Sequence, residues 1–201
     1  MIKFKRLEKG DLSDNNLKTV CKLIFQTDPY IYPALFGTER DAIKILEKII
    51  PTDTDEMFSI NNIYVAIEEE KIIALILWKK GSMNWNKRLF QENIKEIGIK
   101  LPDTFELVCE KYFDSYCDQS LEEIVSLINV CVLKEYRKKG IAKKMLEVFL
   151  DENAEDKYEL FCLEDNKSAL SLYRSCGFKI ISRQKAFTVN NYNIYSVRMM
   201  R

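Results

Sequence analysis

The chain has 201 residues, and its 31 basic side chains balance its 31 acidic ones, so we expect no general nucleic-acid binding, which needs a basic excess. Hydrophobic residues make up 47% of the chain, which is enough for the core of one domain spanning residues 1–201. No apolar run approaches the ~20 residues of a membrane span, and the N-terminus lacks an apolar signal region. We therefore expect a cytoplasmic protein with no membrane partner.

The sequence contains no histidine, which excludes Ser-His and Cys-His catalysis and most zinc or iron sites. We therefore expect no metal. The cysteines form no C-x-x-C pair, and several lie inside apolar runs. This pattern favours reduced thiols in the core over disulfides, metal ligands or a catalytic thiol. Proton transfer would then depend on carboxylates, Tyr, Lys, Cys or water.

The N-terminal part of the chain predicts a strand, two helices and a β-hairpin. The predicted elements are a strand over residues 1–7, helices over 11–25 and 38–50, and hairpin strands over 63–67 and 72–78. Between the two helices, residues 27–33 contain two prolines and two tyrosines, which predicts a loop.

The C-terminal part predicts alternating strands and helices after an irregular segment. Residues 80–120 are polar and helical in period, which indicates an insertion of one or two helices before the fourth strand. The elements that follow are strands over 121–133, 158–163, 178–187 and 193–200, and helices over 140–153 and 166–176. This order predicts an α/β fold in which helices cover a mixed sheet.

An apolar strand gives way to a basic turn and then to a helix within residues 130–142. Three basic side chains lie in this turn, Arg137, Lys138 and Lys139. Together with the free N–H groups and dipole of the helix N-terminus, they suit a phosphate or pyrophosphate. Gly140 permits close backbone approach, and Ala142 is small. The P-loop and dinucleotide patterns are absent, and an ordinary basic turn that opens a helix explains the same residues.

Two motifs in this half of the chain resemble those of one family. The segment 137–142, R-x-x-G-x-A behind an apolar strand, resembles the acyl-CoA loop [QR]-x-x-G-x-[GA] of the GCN5-related N-acetyltransferase (GNAT) superfamily. The segment 166–178 is similar to the family's later helix, N-x-x-A-x-x-x-Y-x-x-x-G-F. A predicted helix and strand separate the two motifs, as in the family. The element order extends the resemblance to most of the chain outside residues 81–119.

The resemblance implies a twisted, mostly antiparallel mixed sheet of about seven strands flanked by helices, with acetyl-CoA as co-substrate. The strand at residues 130–132 should separate from its neighbour beyond a bulge, so that free backbone groups bind the pantetheine arm. The N–H groups of residues 138–143 should hold the pyrophosphate, and the N–H near Val130 should polarise the thioester carbonyl. Asn166 should bind the arm, or cap its helix. The cofactor-binding residues implied are Val130, Cys131, Val132, Arg137, Lys138, Lys139, Gly140, Ile141, Ala142, Lys143 and Asn166.

The resemblance also points to Tyr173 as the catalytic acid. A phenol of pKa ~10 can protonate a departing thiolate whose conjugate acid has a pKa of ~8.5 by analogy with cysteine. A core tyrosine with its hydroxyl at the surface is the alternative. The base is left open, because the position of a glutamate in some relatives corresponds approximately to Ser126. Glu122 and Glu123 lie slightly earlier and would act through water.

Two further features concern the acceptor. In similar proteins the connection between the first helices lines the acceptor pocket, and Tyr30, Tyr32 and Phe36 would offer cation–π contacts to an amine there. A turn packed on the core is the alternative for these aromatic residues. Acidic residues also recur every four positions, at Glu106, Glu110, Asp114, Asp118 and Glu122. They form either a solvated helix face or an electrostatic funnel for a cationic amine.

The sequence therefore predicts an enzyme that moves an acetyl group from acetyl-CoA to a primary amine by direct attack. A small cationic acceptor is preferred, and a protein or peptide amine comes next. The rival interpretations are a non-catalytic acyl-CoA-binding module and a nucleotide-dependent transferase that uses the basic turn for ATP. The sequence is also compatible with a homodimer.

Overall fold

The computed structural model describes residues 1–52, 54, 56–81, 87–110, 123–152, 154–189 and 192–201. The strands are β1 (Lys3–Arg6), β2 (Ile63–Glu68), β3 (Lys71–Lys80), β4 (Ile124–Val132), β5 (Lys157–Leu163), β6 (Lys179–Val189) and β7 (Tyr192–Met200). The helices are α1 (Asp14–Phe25), α2 (Ile31–Phe36), α3 (Glu39–Ile49), α4 (Lys87–Glu96), α5 (Phe105–Val108), α6 (Ile141–Glu152) and α7 (Lys167–Ser175).

The strands form one seven-stranded sheet in the order β1-β2-β3-β4-β5-β7-β6. Every pairing is antiparallel except that of β4 with β5, which is parallel. A parallel pair needs a crossover connection, and α6 supplies it between these two strands. The predicted α/β fold with a mixed, mostly antiparallel sheet is therefore confirmed.

The central hairpin of β2 and β3 is buried on both faces, as its nearly continuous apolar sequence indicates. Its tight turn is formed by Glu69 and Glu70, which both have positive φ, at 48° and 67°. The buried Asn16 side chain of α1 donates to the Glu70 carbonyl at 2.8 Å and accepts from the Ile72 N–H at 3.1 Å. This polar contact fixes α1 against the hairpin.

Two hydrophobic cores lie on opposite faces of the sheet. One packs α1, α2 and α3 together with Phe90 of α4 and Phe105 of α5. The other packs α6 and α7, through residues such as Phe149 and Leu170, against the strands. Helices α4 and α5 belong to the predicted insertion at residues 80–120, of which residues 82–86 and 111–120 lie outside the described ranges.

The prediction of a loop over residues 27–33 was wrong at its end, because α2 begins at Ile31. Pro33 occupies the first turn of this helix, where a backbone N–H has no intrahelical partner, so proline is tolerated there. The first predicted helix also begins later than expected. Ser13 caps α1 by accepting from the Asn16 N–H, and residues 9–11 form a separate 3-10 turn.

Candidate active site

Strands β4 and β5 pair along only part of their length. The parallel register runs from Ile124 opposite Lys157 to Leu127 opposite Leu160, and it stops there. Both strands continue beyond this point, β4 to Val132 alongside β3 and β5 to Leu163 alongside β7. The two strands therefore separate in the way that the resemblance implies.

A β-bulge accounts for the point of separation. Leu77 of β3 lies opposite Asn129, and the next residue lies opposite Leu127, so Ile128 is the extra residue in β4. A bulge increases the local twist of a strand and interrupts its pairing. The backbone of β4 after Ile128 therefore turns away from β5, which leaves main-chain groups of both strands facing the gap.

The gap opens into a cleft of about 290 Å³. Its walls include residues 126–130 of β4 and 160–163 of β5. The remaining wall comes from the loop between α1 and α2, from α7, and from the two C-terminal strands. The polar side chains of this wall include those of Thr27, Asp28, Tyr32, Asn166, Tyr173 and Lys185. A narrow cleft lined by unpaired strand backbone suits an extended arm with amide groups, such as pantetheine.

The basic turn after β4 has the backbone geometry of an anion-binding loop. Lys138 and Gly140 both have positive φ, at 60° and 78°, on either side of Lys139. Alternation of this kind points successive N–H groups to one side, and the first-turn N–H groups of α6 follow directly. A Cβ built on Gly140 would meet nothing within 4 Å, so the space in front of the turn is open. These residues fit a pyrophosphate.

The predicted basic residues differ in their surroundings. Arg137 donates from Nε to the Val132 carbonyl at 2.9 Å, so its side chain holds the turn against the end of β4. Lys139 places its ammonium 5.0 Å from the Tyr136 ring centroid. Lys143 lies 3.8 Å from Glu147 in an exposed ion pair. Lys138 is exposed as well.

The other implied cofactor residues divide between the cleft and the core. Val130 and Asn166 line the cleft. The side chains of Cys131, Val132 and Ile141 are buried, so only their main-chain atoms are available to a ligand. Ala142 is partly buried and packs against the core that α6 and α7 form with the sheet.

Asn166 is the N-cap of α7, which was one of its two predicted roles. Its Oδ1 accepts from the Ala169 N–H at 3.1 Å and from the Ser168 hydroxyl at 3.0 Å. Capping uses only the side-chain oxygen of Asn166, and the residue also lines the cleft. The two roles predicted for Asn166 are therefore compatible.

Tyr173 of α7 reaches the cleft and is only 9% exposed. Its ring packs edge-on against Phe178, with the centroids 6.0 Å apart. Burial raises the pKa of its hydroxyl well above the usual phenol value, and the neighbouring thiols Cys162, Cys131 and Cys176 raise it further. The phenol is protonated at neutral pH, as an ordinary phenol also is and as a proton donor must be, and the shift makes it a weaker acid.

The cysteines of the described ranges are free and buried. Burial raises the pKa of the Cys162 thiol to about 11, and it raises those of Cys131 and Cys176 as well. These side chains are therefore neutral thiols, in agreement with the prediction of reduced core cysteines. Cys117 lies outside the described residues.

On the acceptor side, the sequence prediction did not include Asn129. Its buried side chain accepts from the Tyr32 hydroxyl at 2.6 Å and donates to the Thr27 hydroxyl oxygen. The network joins β4 to α2 and to the loop before it, and Thr27, Tyr32 and Asn129 all line the cleft. A polar residue between Ile128 and Val130, inside an apolar strand, was the sequence signal that marked it.

The three aromatic residues predicted near the acceptor lie at different depths. Tyr32 lines the cleft. Phe36 is fully buried in an aromatic cluster, stacked on Tyr32 at 5.7 Å and packed against Phe58 at 5.8 Å. Tyr30 is partly buried in the loop, where its N–H donates to Asp28. The structure thus brings Tyr32 to the cleft and places Phe36 in the core behind it.

A second buried polar network lies where β4 and β5 still pair. Ser126 donates to Glu159 Oε1 at 2.8 Å, and Arg198 makes two bonds to Glu159 Oε2, at 3.0 Å and 2.7 Å. Glu159 is only 6% exposed. Sequence reasoning missed this carboxylate, although a glutamate between Tyr158 and Leu160 in an apolar strand was a visible signal.

Most of the acidic series lies outside the described residues, namely Asp114, Asp118 and Glu122. Glu106 accepts from the Gln91 side chain at 3.0 Å and pairs with Lys87.

In the ranges that the structure describes, no group of three His, Cys, Asp or Glu side chains is placed to hold a metal ion. No helix of those ranges has both the length and the apolar character for crossing a membrane.

The chain is similar to known proteins in its fold and, over part of its length, in its sequence. Residues 107–180 match the model of the Acetyltransferase (GNAT) domain. No curated protein matches the sequence significantly. The fold is similar to that of an N-acetyltransferase from Staphylococcus aureus Mu50, with 17% identity and a TM-score of 0.67 over 99% of this chain and 100% of that one.

Two similar folds belong to enzymes with protein or peptide ligands. The ribosomal-protein-S18-alanine N-acetyltransferase from Escherichia coli has 13% identity and a TM-score of 0.56 over 100% of this chain and 92% of its own. The NatC complex bound to Gag peptide and CoA gives 18% identity and a TM-score of 0.54 over 99% and 96%. Residues 107–180 thus match the GNAT acetyltransferase domain, and the fold of the chain, with its separated strands, is that of GNAT N-acetyltransferases.

Proposed function

We propose that the protein transfers an acetyl group from acetyl-CoA to a primary amine by direct attack of the amine on the thioester. The observation that carries this proposal is the separation of β4 from β5 beyond Leu127, with Tyr173 at the resulting cleft. The basic turn at residues 138–140 lies a few residues beyond the end of β4, after the 3-10 turn of residues 134–136, so one extended ligand can reach both features.

In this proposal the chain binds, orients and supplies a proton. Acetyl-CoA supplies an activated acyl group. The N–H groups of residues 138–143 bind the pyrophosphate, and the free main chain of β4 near Val130 holds the arm and polarises the carbonyl. Asn166 binds the arm with its side-chain amide nitrogen. Tyr173 donates its proton to the departing thiolate, and the proton lost by the attacking amine passes to water, which returns a proton to the Tyr173 phenolate.

The preferred acceptor is a small amine that is cationic at neutral pH. The cleft volume of about 290 Å³ is just below the usual ~300–1,000 Å³ of ligand pockets, and it favours a small acceptor because the pantetheine arm takes part of the same space. A protein or peptide amine is the second candidate. Of two proteins with similar folds, one is a ribosomal-protein-S18-alanine N-acetyltransferase and the other is the NatC complex bound to a peptide and CoA.

The first test separates acetyl-CoA from ATP as the ligand of the basic turn. Acetyl-CoA at 100 times its dissociation constant should stabilise the fold by about 2.7 kcal/mol, measured as a rise in Tm, because it binds only the native state. ATP at the same concentration should give a much smaller rise. An equal or larger shift with ATP would favour the nucleotide-dependent transferase instead.

Turnover is then measured as CoA release with 1,4-diaminobutane and with a short peptide carrying a free α-amine. Release that depends on either amine supports catalysis and indicates the acceptor class. Stabilisation by acetyl-CoA without release in the presence of any amine would contradict the proposal and favour an acyl-CoA-binding module.

A further inference from the structure

Asp28 places a fixed carboxylate at the cleft. It lies in the short loop between α1 and α2 and lines the cleft beside Tyr32. Its Oδ1 accepts from the N–H groups of Tyr30 and Ile31, both at 2.8 Å. These two bonds fix the orientation of the carboxylate before any ligand arrives, which lowers the cost of binding one.

The second carboxylate oxygen of Asp28 has no partner among the residues that the structure describes. Within the described part of the chain, both hydrogen bonds of Asp28 use Oδ1, and no Lys or Arg nitrogen lies within the 4.0 Å of an ion pair. Lys185 lines the same cleft from β6.

The polar neighbours of Asp28 have their own partners. The Thr27 hydroxyl donates its proton to the Ile24 carbonyl at 2.6 Å, and the Tyr32 hydroxyl donates to Asn129 at 2.6 Å. Neither proton is therefore offered to Asp28. Burial raises the pKa of the Asp28 carboxyl against the effect of the two backbone bonds, which indicates that its charge is incompletely compensated.

We infer that Asp28 binds the ammonium group of the acceptor amine in the cleft, an assignment that rests on the function proposed above. An alkylamine of pKa ~10 reaches the cleft almost entirely as the cation, which a preoriented carboxylate attracts. The free oxygen of Asp28 supplies the counter-charge that Thr27 and Tyr32 do not. The shared chemistry is a primary ammonium group, carried by a small amine or by a peptide N-terminus.

The Asp28→Asn variant tests the charge alone. Its amide oxygen still accepts the two backbone N–H groups, while the negative charge is removed. The KM for 1,4-diaminobutane should rise about 10- to 100-fold, the range for losing a hydrogen bond to a charged group, with acetyl-CoA affinity unchanged. The rate with hydroxylamine, which is uncharged at neutral pH, should stay the same.

Asp14→Asn is the matched control. Asp14 is an exposed carboxylate at the opposite end of α1, about 18 Å away along a 12-residue helix, and its substitution should leave both rates unchanged. A peptide with a free α-amine forms a second acceptor series. A KM that rises only for the peptide supports the inference with a peptide as the ammonium source.

Different results would overturn the inference and the proposed function. If the wild type acetylates the diamine or the peptide and Asp28→Asn does so with the same KM, Asp28 does not bind the ammonium. Equal losses with hydroxylamine and the charged amines would indicate a structural effect and also overturn the inference. A wild type that binds acetyl-CoA yet acetylates no acceptor would overturn the proposed function and the inference with it.

Discussion

Individual side chains at the cleft obtain their chemistry from burial. Tyr173 is held among thiols from β4, β5 and the end of α7, in surroundings that favour its neutral form. A protonated phenol is useful only if it faces a group that needs a proton, and Tyr173 lines the gap between the separated strands. The residue type came from a sequence motif, while its position at the gap follows from packing.

Tyr173→Phe should lower kcat by about 10²-fold or more, because the variant lacks the proton donor for the departing thiolate. Acetyl-CoA affinity should be unchanged, since the ring still packs against Phe178. Steady-state CoA release and a binding titration measure the two effects. Tyr195→Phe, in which the ring beneath Arg183 is retained, is the control and should keep the wild-type rate. Equal kcat values for wild type and Tyr173→Phe would eliminate the acid role.

Among the elements, the turn from β4 into α6 combines a basic sequence with a specific backbone conformation. Gly140 has a φ of 78°, which an L-residue adopts only with strain, although a Cβ would meet no neighbouring atom. The cost of a substitution there is therefore conformational rather than steric. Because the turn is exposed, a substituted residue can relax in the free protein and must be forced back on binding.

Gly140→Ala should therefore weaken acetyl-CoA binding about 5- to 30-fold, which corresponds to ~1–2 kcal/mol for a residue in the left-handed region. Isothermal titration of acetyl-CoA measures the change. Gly10→Ala is the matched control, because Gly10 also has open space around it and no positive φ. Unchanged affinity in Gly140→Ala would show that the left-handed backbone of this turn has no part in binding.

At the scale of the whole molecule, β4 and β5 must remain paired up to the point where they separate. Glu159 joins three strands at that point, through Ser126 of β4 and Arg198 of β7. The Glu159 side chain is 8% exposed and that of Arg198 is 31% exposed, so removing the glutamate charge would leave a partly buried guanidinium without its ionic partner. The network therefore stabilises the closed part of the sheet up to the bulge.

Glu159→Gln should lower the free energy of unfolding by about 1.5–3 kcal/mol, the range for a hydrogen bond to a charged group. Urea denaturation at neutral pH measures it as a lower midpoint with an unchanged m-value. Glu92→Gln removes the carboxylate of the exposed Arg88–Glu92 pair and should cost less than about 0.5 kcal/mol. If the two variants unfold at the same midpoint, the buried network contributes nothing beyond a surface ion pair.

The sequence by itself determined the features that depend on neighbouring residues. The start of α7 at the Asn166 cap, the glycine of the basic turn and the apolar hairpin follow from local conformational preferences and periodicity. The prediction for residues 27–33 failed because a proline in the first turn does not prevent a helix. Local rules of this kind state preferences, which packing can override.

Only the tertiary structure decided which separate segments meet at the cleft. Asn129 contacts Tyr32 from a distance of 97 positions in the chain, and Ser126 contacts Glu159 across 33 positions. Strand pairing and a single bulge at Ile128 produce these contacts, and neither leaves a periodic signal in the sequence. The polar strand residues that line the cleft, Ser126 and Asn129, therefore depend on register and burial, which arise only when the whole sheet is assembled.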